Sequence, residues 1–307
     1  MTVNQHLTEF AGLPVVTWDT AKHHAEVGGV AWRLKVDSYE PEEPYEVMFA
    51  GFLAGADTEQ VSALVIGSWG ESYETSAEVP VTLLVQAADR FPNLRAVFLG
   101  DMVMEESEIS WIQQTDVTPI LESFPALERL EVRGGEGLVL RPIRHTALQV
   151  LRFESGGLPA AVVRAAGESD LPALTRLELW LGSDQYNGDA TVADLAGILS
   201  GERLPALRHL GLQDSEMQDE IAAAIAAAPI VARLESLNLS MGTLTDDGAE
   251  ALLSGQPLTH LARLDLHHHY LSEPMIGRVT AALPGVEVDL TDRQETDDDW
   301  RYIAVAE

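Results

Sequence analysis

The chain has 307 residues, 46% hydrophobic, with 19 basic and 49 acidic side chains and a formal net charge of −30. This acidity serves solubility and favours a basic protein partner, and it argues against nucleic acid, whose binding needs a positive footprint. The lack of cysteine excludes a disulfide framework, a cysteine metal site and a thiol nucleophile; no run of eighteen apolar residues marks a membrane span, and the opening Met-Thr-Val-Asn-Gln-His lacks the layout of a secretion signal, so the cytoplasm is the expected compartment.

Residues 1–58 carry no repeat and read as an N-terminal cap. Val30-Ala-Trp32-Arg-Leu34-Lys-Val36 alternates apolar and polar residues, which predicts a half-buried strand. Asp37–Pro44 is an acidic, proline-bearing loop, and Tyr45–Ala54 places Val47, Met48, Phe52 and Leu53 at helical spacing. Between Lys35 and Arg90 there is no basic residue and there are eleven acidic ones, which concentrates any steering field at this end.

From Val61 onward one phrase recurs. Leu204-Pro-Ala-Leu207-Arg-His-Leu210-Gly-Leu212 has its counterpart in Pro92-Asn-Leu94-Arg-Ala-Val97-Phe-Leu99, Pro125-Ala-Leu127-Glu-Arg-Leu130-Glu-Val132 and Pro172-Ala-Leu174-Thr-Arg-Leu177-Glu-Leu179. The first apolar position of each copy falls at 61, 94, 127, 148, 174, 207, 234, 261 and 286, in steps of 33, 33, 21, 26, 33, 27, 27 and 25. A short strand with leucines on one side cannot bury that side alone, so such units stack; this is the pattern of leucine-rich repeats. Residues 59–290 therefore read as an α/β solenoid, a horseshoe of about eight or nine repeats with a parallel concave sheet and outer helices. Helices are expected at Val79–Arg90, Pro159–Ala166, Thr191–Leu199, Gln218–Ala228, Asp246–Leu253 and Glu273–Leu283. Thr245 is a natural cap, with Asp246 and Asp247 where the helix dipole favours negative charge. Phe91-Pro, Phe124-Pro, Leu171-Pro, Leu204-Pro and Leu283-Pro end helices and lead into strands. Residues 134–146 carry no helix signal.

Leu237-Asn-Leu239-Ser-Met-Gly-Thr-Leu244-Thr-Asp-Asp-Gly-Ala-Glu-Ala-Leu-Leu253 resembles a ribonuclease-inhibitor-type repeat. Through Phe10-Ala-Gly-Leu-Pro14, Val65-Ile-Gly-Ser-Trp69 and Val288-Asp-Leu-Thr-Asp-Arg-Gln-Glu295, the whole chain is similar to a family of bacterial leucine-rich-repeat proteins without an assigned activity. The resemblance implies a curved horseshoe and an accessory role beside radical-SAM and ATP-grasp-like modification enzymes. One departure stands out. Eight residues after the first leucine such repeats place asparagine or cysteine, whereas here stand Trp69, Met102, Gly135, Gly156, Gly182, Ser215, Gly242 and His269. The loop backbones must find other partners.

Within each strand the residues between the leucines face the concave side. The first two strands place Ala63, Val65, Ala96 and Phe98 there, an apolar end that offers a route to self-association. The middle strands place Arg129, Glu131 and Arg133, then Arg152 and Glu154, then Arg176, Glu178 and Trp180. His209 and Gln213 follow, and later Arg263, Asp265 and His267. At about 4.8 Å between strands these charges form a ladder. The ladder either satisfies itself or binds a protein partner through arginine and Trp180, types enriched at hot spots; solenoids bind on such faces, which favours the second. On that reading, reversing Arg152 and Arg176 removes partner capture and leaves the fold intact.

Catalytic signatures are missing: there is no phosphate-binding G-K-[ST] loop, Gly134-Gly-Glu-Gly137 opens no helix, and Gly67-Ser68-Trp69-Gly70 is no nucleophile elbow. The expectation is a non-catalytic interaction scaffold without cofactor. The alternative is an enzyme or enzyme subunit with a site near Glu154, Glu178 and His209. His267-His268-His269 alternates across the strand with no partner carboxylate beyond Asp265, and His23-His24 is weaker, so no metal is expected. Residues 291–307 form an acidic C-terminal cap or tail, in which Trp300–Val305 reads as a strand over the last repeat.

Overall fold

The computed structural model describes residues 3–19, 29–298 and 300–307; His23 and His24 lie outside them. The described strands form one open sheet in chain order. They are β1 (Glu9–Phe10), β2 (Leu13–Thr17), β3 (Ala31–Leu34), β4 (Ala63–Ile66), β5 (Ala96–Leu99), β6 (Arg129–Arg133), β7 (Val150–Glu154), β8 (Arg176–Gly182), β9 (His209–Ser215), β10 (Ser236–Asn238), β11 (Arg263–Asp265) and β12 (Glu287–Asp289). β1 and β2 pair antiparallel, and every later pair is parallel.

The leucine phrase sets the register. Leu64, Val97, Leu130, Leu151, Leu177, Leu210, Leu237, Leu264 and Val288 stand opposite one another in a single column. All but the terminal Val288 are buried. Burial of each such side chain contributes about 1.5–3 kcal/mol relative to exposure. The ladder also extends N-terminally of the repeats: β2 and β3 continue it, with Trp32 opposite Leu64. β3 is buried on both faces rather than half-buried.

Helices cover the leucine face: α1 (Tyr45–Gly55), α2 (Glu78–Gln86), α3 (Thr118–Ser123), α4 (Ala160–Glu168), α5 (Ala196–Ser200), α6 (Gln218–Ile225), α7 (Asp246–Ser254) and α8 (Glu273–Ala282). α3 had no periodic signal, since six residues give less than two turns. The expected helix from Thr191 begins as a tight 3-10 turn, Val192–Leu195, before α5. The Thr245 hydroxyl accepts from the Asp247 amide at 3.3 Å. A second device links neighbours: Asp219 in α6 accepts from the Thr245 amide at 2.7 Å, and Asp246 in α7 accepts from the Ser272 amide at 2.8 Å. Acids in the first turn thus hold the cap of the next helix as well as complementing the dipole.

The loops replace the missing asparagine ladder in two ways. Where glycine stands, backbones touch: a Cβ on Gly182 (φ +71°) would lie 1.9 Å from the Gly156 carbonyl oxygen, so no side chain fits. At His269, Nδ1 accepts from the Leu271 amide at 3.1 Å and Nε2 bonds the Leu290 carbonyl at 3.0 Å. Burial holds this imidazole below its usual range, in the neutral form those two bonds require.

Both termini fold back over the helix-free face. Leu7, Phe10 and Leu13 pack on Ala31, Ala63, Val65, Ala96 and Phe98, and Phe10 meets Phe98 edge to face at 5.9 Å. Val65 and Phe98 are fully buried, which overturns the expectation of an exposed apolar end for self-association. The C-terminal tail is not a strand over the last repeat. It runs backward across the C-terminal ends of β11, β10 and β9: His268 and Tyr270 bond the Tyr302 carbonyl, the Ala304 amide donates to Met241 O at 2.8 Å, and the Val305 amide donates to Asp214 Oδ1 at 2.9 Å. Its end lies against Gly156, where a Cβ would meet the Ala306 carbonyl oxygen at 2.1 Å. No helix among the described residues is long and apolar enough to cross a membrane.

Candidate functional site on the helix-free sheet face

The alternation that buries the leucines puts the charged residues of β6, β7 and β8 on the opposite face, in register. Glu131 stands opposite Arg152, Arg133 opposite Glu154, and Arg152 opposite Glu178. The side chains meet accordingly. Arg152 reaches Glu154 at 2.8 Å, Glu178 at 3.3 Å and Glu131 at 3.9 Å. Arg133 donates to Glu154 at 2.7 Å, Arg129 to Glu131 at 2.6 Å, and Arg176 to Glu178 at 2.9 Å. The ladder is thus internally paired.

Its electrostatics follow from burial. Burial raises the carboxyl of Glu154, but Arg152 and Arg133 outweigh that and hold it below the usual range. Glu131 has weaker partners, and burial leaves its carboxyl raised. Burial works against the Arg152 cation, and the three carboxylates around it more than offset that. Glu131, Arg133 and Glu154 are buried, whereas the Arg152, Arg176 and Arg263 side chains keep 30%, 40% and 43% of their surface in solvent. Trp180 is not an exposed anchor. Its ring lies 5.4 Å beneath the Arg152 guanidinium, in an apolar cluster with Ile109, Met241, Ala304 and Val305. Gln213 is buried as well, its amide folded over the bare Gly211 position.

Farther along, His209 Nδ1 lies 2.8 Å from Ser236 Oγ. Burial and then Arg176 lower the histidine, so it is a neutral partner for the hydroxyl. A notch of about 80 Å³ is lined here by Arg176, Glu178, His209, Asn238, Arg263 and Asp265, among others. At β11 and β12 the structure corrects the expectation that His267 has no carboxylate beyond Asp265. Asp289 stands opposite Asp265, and the ligand atoms of Asp265, His267 and Asp289 all lie within 4.8 Å of one another. Arg263 already bridges both carboxylates, at 3.0 Å and 3.3 Å, so the trio carries its own cation. The hydrogen bond to Asp265, 2.7 Å long, raises His267.

Two members of the charge network escaped the sequence reading. Arg33 on β3 donates to Asp101 at 2.8 Å, and Asp101, wholly buried, also lies 3.8 Å from Arg133 and accepts from the Leu7 amide at 3.2 Å. Arg33 was legible as the polar member of an alternating strand, but the cap assignment took it out of the ladder. Asp101 follows Gly100, whose φ of +92° breaks the strand alternation.

No protein-family model matches the sequence, and no curated protein matches it. An internalin from Listeria monocytogenes is 16% identical over 77% of this chain and 56% of its own, with a TM-score of 0.42, too low to carry an argument. A Bacteroides fragilis protein of known crystal structure is 32% identical over 81% of this chain and 71% of its own, with a TM-score of 0.76. With that identity over most of both chains, this protein belongs to the same family as the Bacteroides fragilis protein.

Proposed function

We propose that this chain is a leucine-rich-repeat solenoid that acts as a non-catalytic, cytoplasmic interaction scaffold, binding a protein partner on the rim of its concave sheet. The observation that carries the reading is the paired ladder. Glu154 and Glu178, the acids an enzyme site would need, are each held by two arginines, while Arg129, Arg152, Arg176 and Arg263 keep side-chain surface accessible. Arginine on a preformed surface is a favoured contact residue. The net charge of −30 supports a partner of net positive charge, drawn in by long-range attraction.

One observation favours the alternative of an enzyme or enzyme subunit, in a radical-SAM or ATP-grasp-associated modification pathway: the His209–Ser236 pair at the notch. It offers a neutral base beside a hydroxyl.

The test is capture from the native lysate with immobilised protein. Arg152 is the wrong residue to reverse, because a fourth carboxylate among Glu131, Glu154 and Glu178 would damage the fold. Arg129→Gln with Arg176→Gln removes charge from the accessible rim without adding a carboxylate beside Glu131 or Glu178. The scaffold reading expects a stoichiometric partner that this double variant loses, while Arg144→Glu in a distant loop retains it. Equal capture by both variants, or metabolite turnover abolished by His209→Ala, would contradict it.

A further inference from the structure

The loops after β3, β4 and β5 build a second surface, separate from the charge ladder. Tyr39, Tyr73, Met104 and Trp111 line a cleft of about 280 Å³ with Glu106, Ser107 and Glu108. Tyr39 and Trp111 are each 56% exposed. Single exposed apolar residues need no explanation, but Tyr39, Met104 and Trp111 exposed around one cleft beside the half-buried Tyr73 do. The backbones that present them are held in place. Asp37 accepts from the Tyr39 and Glu40 amides at 3.0 Å and 3.1 Å, and the Tyr39 hydroxyl donates to the Glu105 carbonyl at 2.8 Å. Trp111 ends the turn Ile109–Trp111, whose first residue is buried against Trp180.

The rim is acidic and uncompensated. Glu71, Glu74, Glu105 and Glu108 lie on the same loops, and none forms an ion pair among the described residues. The nearby cations are already engaged: Lys35 holds Glu106 at 2.5 Å, and His6 lies 3.3 Å from the same carboxylate. Between residues 36 and 89 the chain has no basic residue of its own to offer.

Aromatic faces attract cations, and carboxylates beside them add charge and hydrogen-bond acceptors. We propose that this cleft docks a basic segment of a partner protein, seating a lysine or arginine side chain among Tyr39, Tyr73 and Trp111 between the carboxylates of the rim. Charge complementarity selects this occupant. A second copy of the chain would bring 49 acidic side chains against 19 basic ones, and an anionic membrane would be repelled. The inference does not depend on the concave rim, and its failure would leave that reading standing.

The experiment uses the full-length protein and fluorescein-labelled octa-arginine, read by fluorescence anisotropy at moderate salt. Trp111→Ala with Tyr39→Ala leaves the net charge unchanged and is expected to weaken binding about tenfold, the combined effect of two cation–aromatic contacts. Trp111→Leu tests the ring itself and should weaken binding as Trp111→Ala does. Glu202→Gln with Glu235→Gln removes two distant carboxylates and should change affinity less than about twofold, as screening over that separation implies. Three results would overturn the proposal: aromatic variants that bind like the wild type, a distant pair that matters as much, or full binding by Trp111→Leu. A concentration-dependent dimer abolished by Trp111→Ala would assign the cleft to a second copy instead.

Discussion

Arg152 shows how this sheet face is made. Its guanidinium touches three carboxylates and covers Trp180. A surface ion pair contributes about 0–1 kcal/mol, whereas removing one partner of a buried set leaves charge without compensation. Arg152→Ala is therefore expected to lower stability by about 2–4 kcal/mol in urea unfolding, with part of the buried-pair cost relieved by its partial exposure. Arg144→Ala, which removes an exposed pair with Asp170 at 3.2 Å, should cost less than about 1 kcal/mol. Similar losses for the two would contradict the distinction. The pairing of Arg152 with its neighbours was legible in the sequence, because alternation fixes the face and the repeat spacing fixes the register. The place of Trp180 was not: alternation put it on the open face, and the returning tail buries it together with Ile109 and Met241.

The tail is the element the sequence hid. It has no periodicity, and its partners are remote; Val305 and Asp214 are 91 positions apart. Asp214 is wholly buried, and burial raises its carboxyl well above 3.8, against the lowering effect of the Val305 amide. A carboxyl raised in the folded state stabilises the fold fully below its unfolded value, and that contribution is lost as pH rises through the folded value. The wild type should accordingly lose stability relative to Asp214→Asn as pH rises from 3.8 toward neutrality. The asparagine keeps an oxygen for the Val305 amide and cannot ionise. Thermal unfolding of both proteins across that range checks this, and parallel profiles would contradict it. The helices show the converse: the cap at Thr245 follows from local sequence, whereas the bonds of Thr245 and Ser272 to Asp219 and Asp246 depend on how neighbouring units stack.

At the scale of the whole molecule, the leucine column is a sequence property made visible. The spacing that varies from 21 to 33 residues is absorbed in loops and helices, and the strand positions stay in register. What composition and spacing could not convey is closure. Leu7 and Phe10 from one end and Ala304 and Val305 from the other cover positions that alternation alone left open. The charges of the sheet are thus paired, its apolar end is covered by its own N-terminus, and the C-terminal ends of its later strands are held by its own C-terminus. The most direct test is hydrogen exchange on the full-length protein, resolved to the amides of Leu7, Ala304 and Val305. These donate to Asp101, Met241 and Asp214, and protection well above that of an unstructured peptide is the predicted result. Exchange of all three at the rate of a free chain would mean that the termini do not close the face, and would contradict the account.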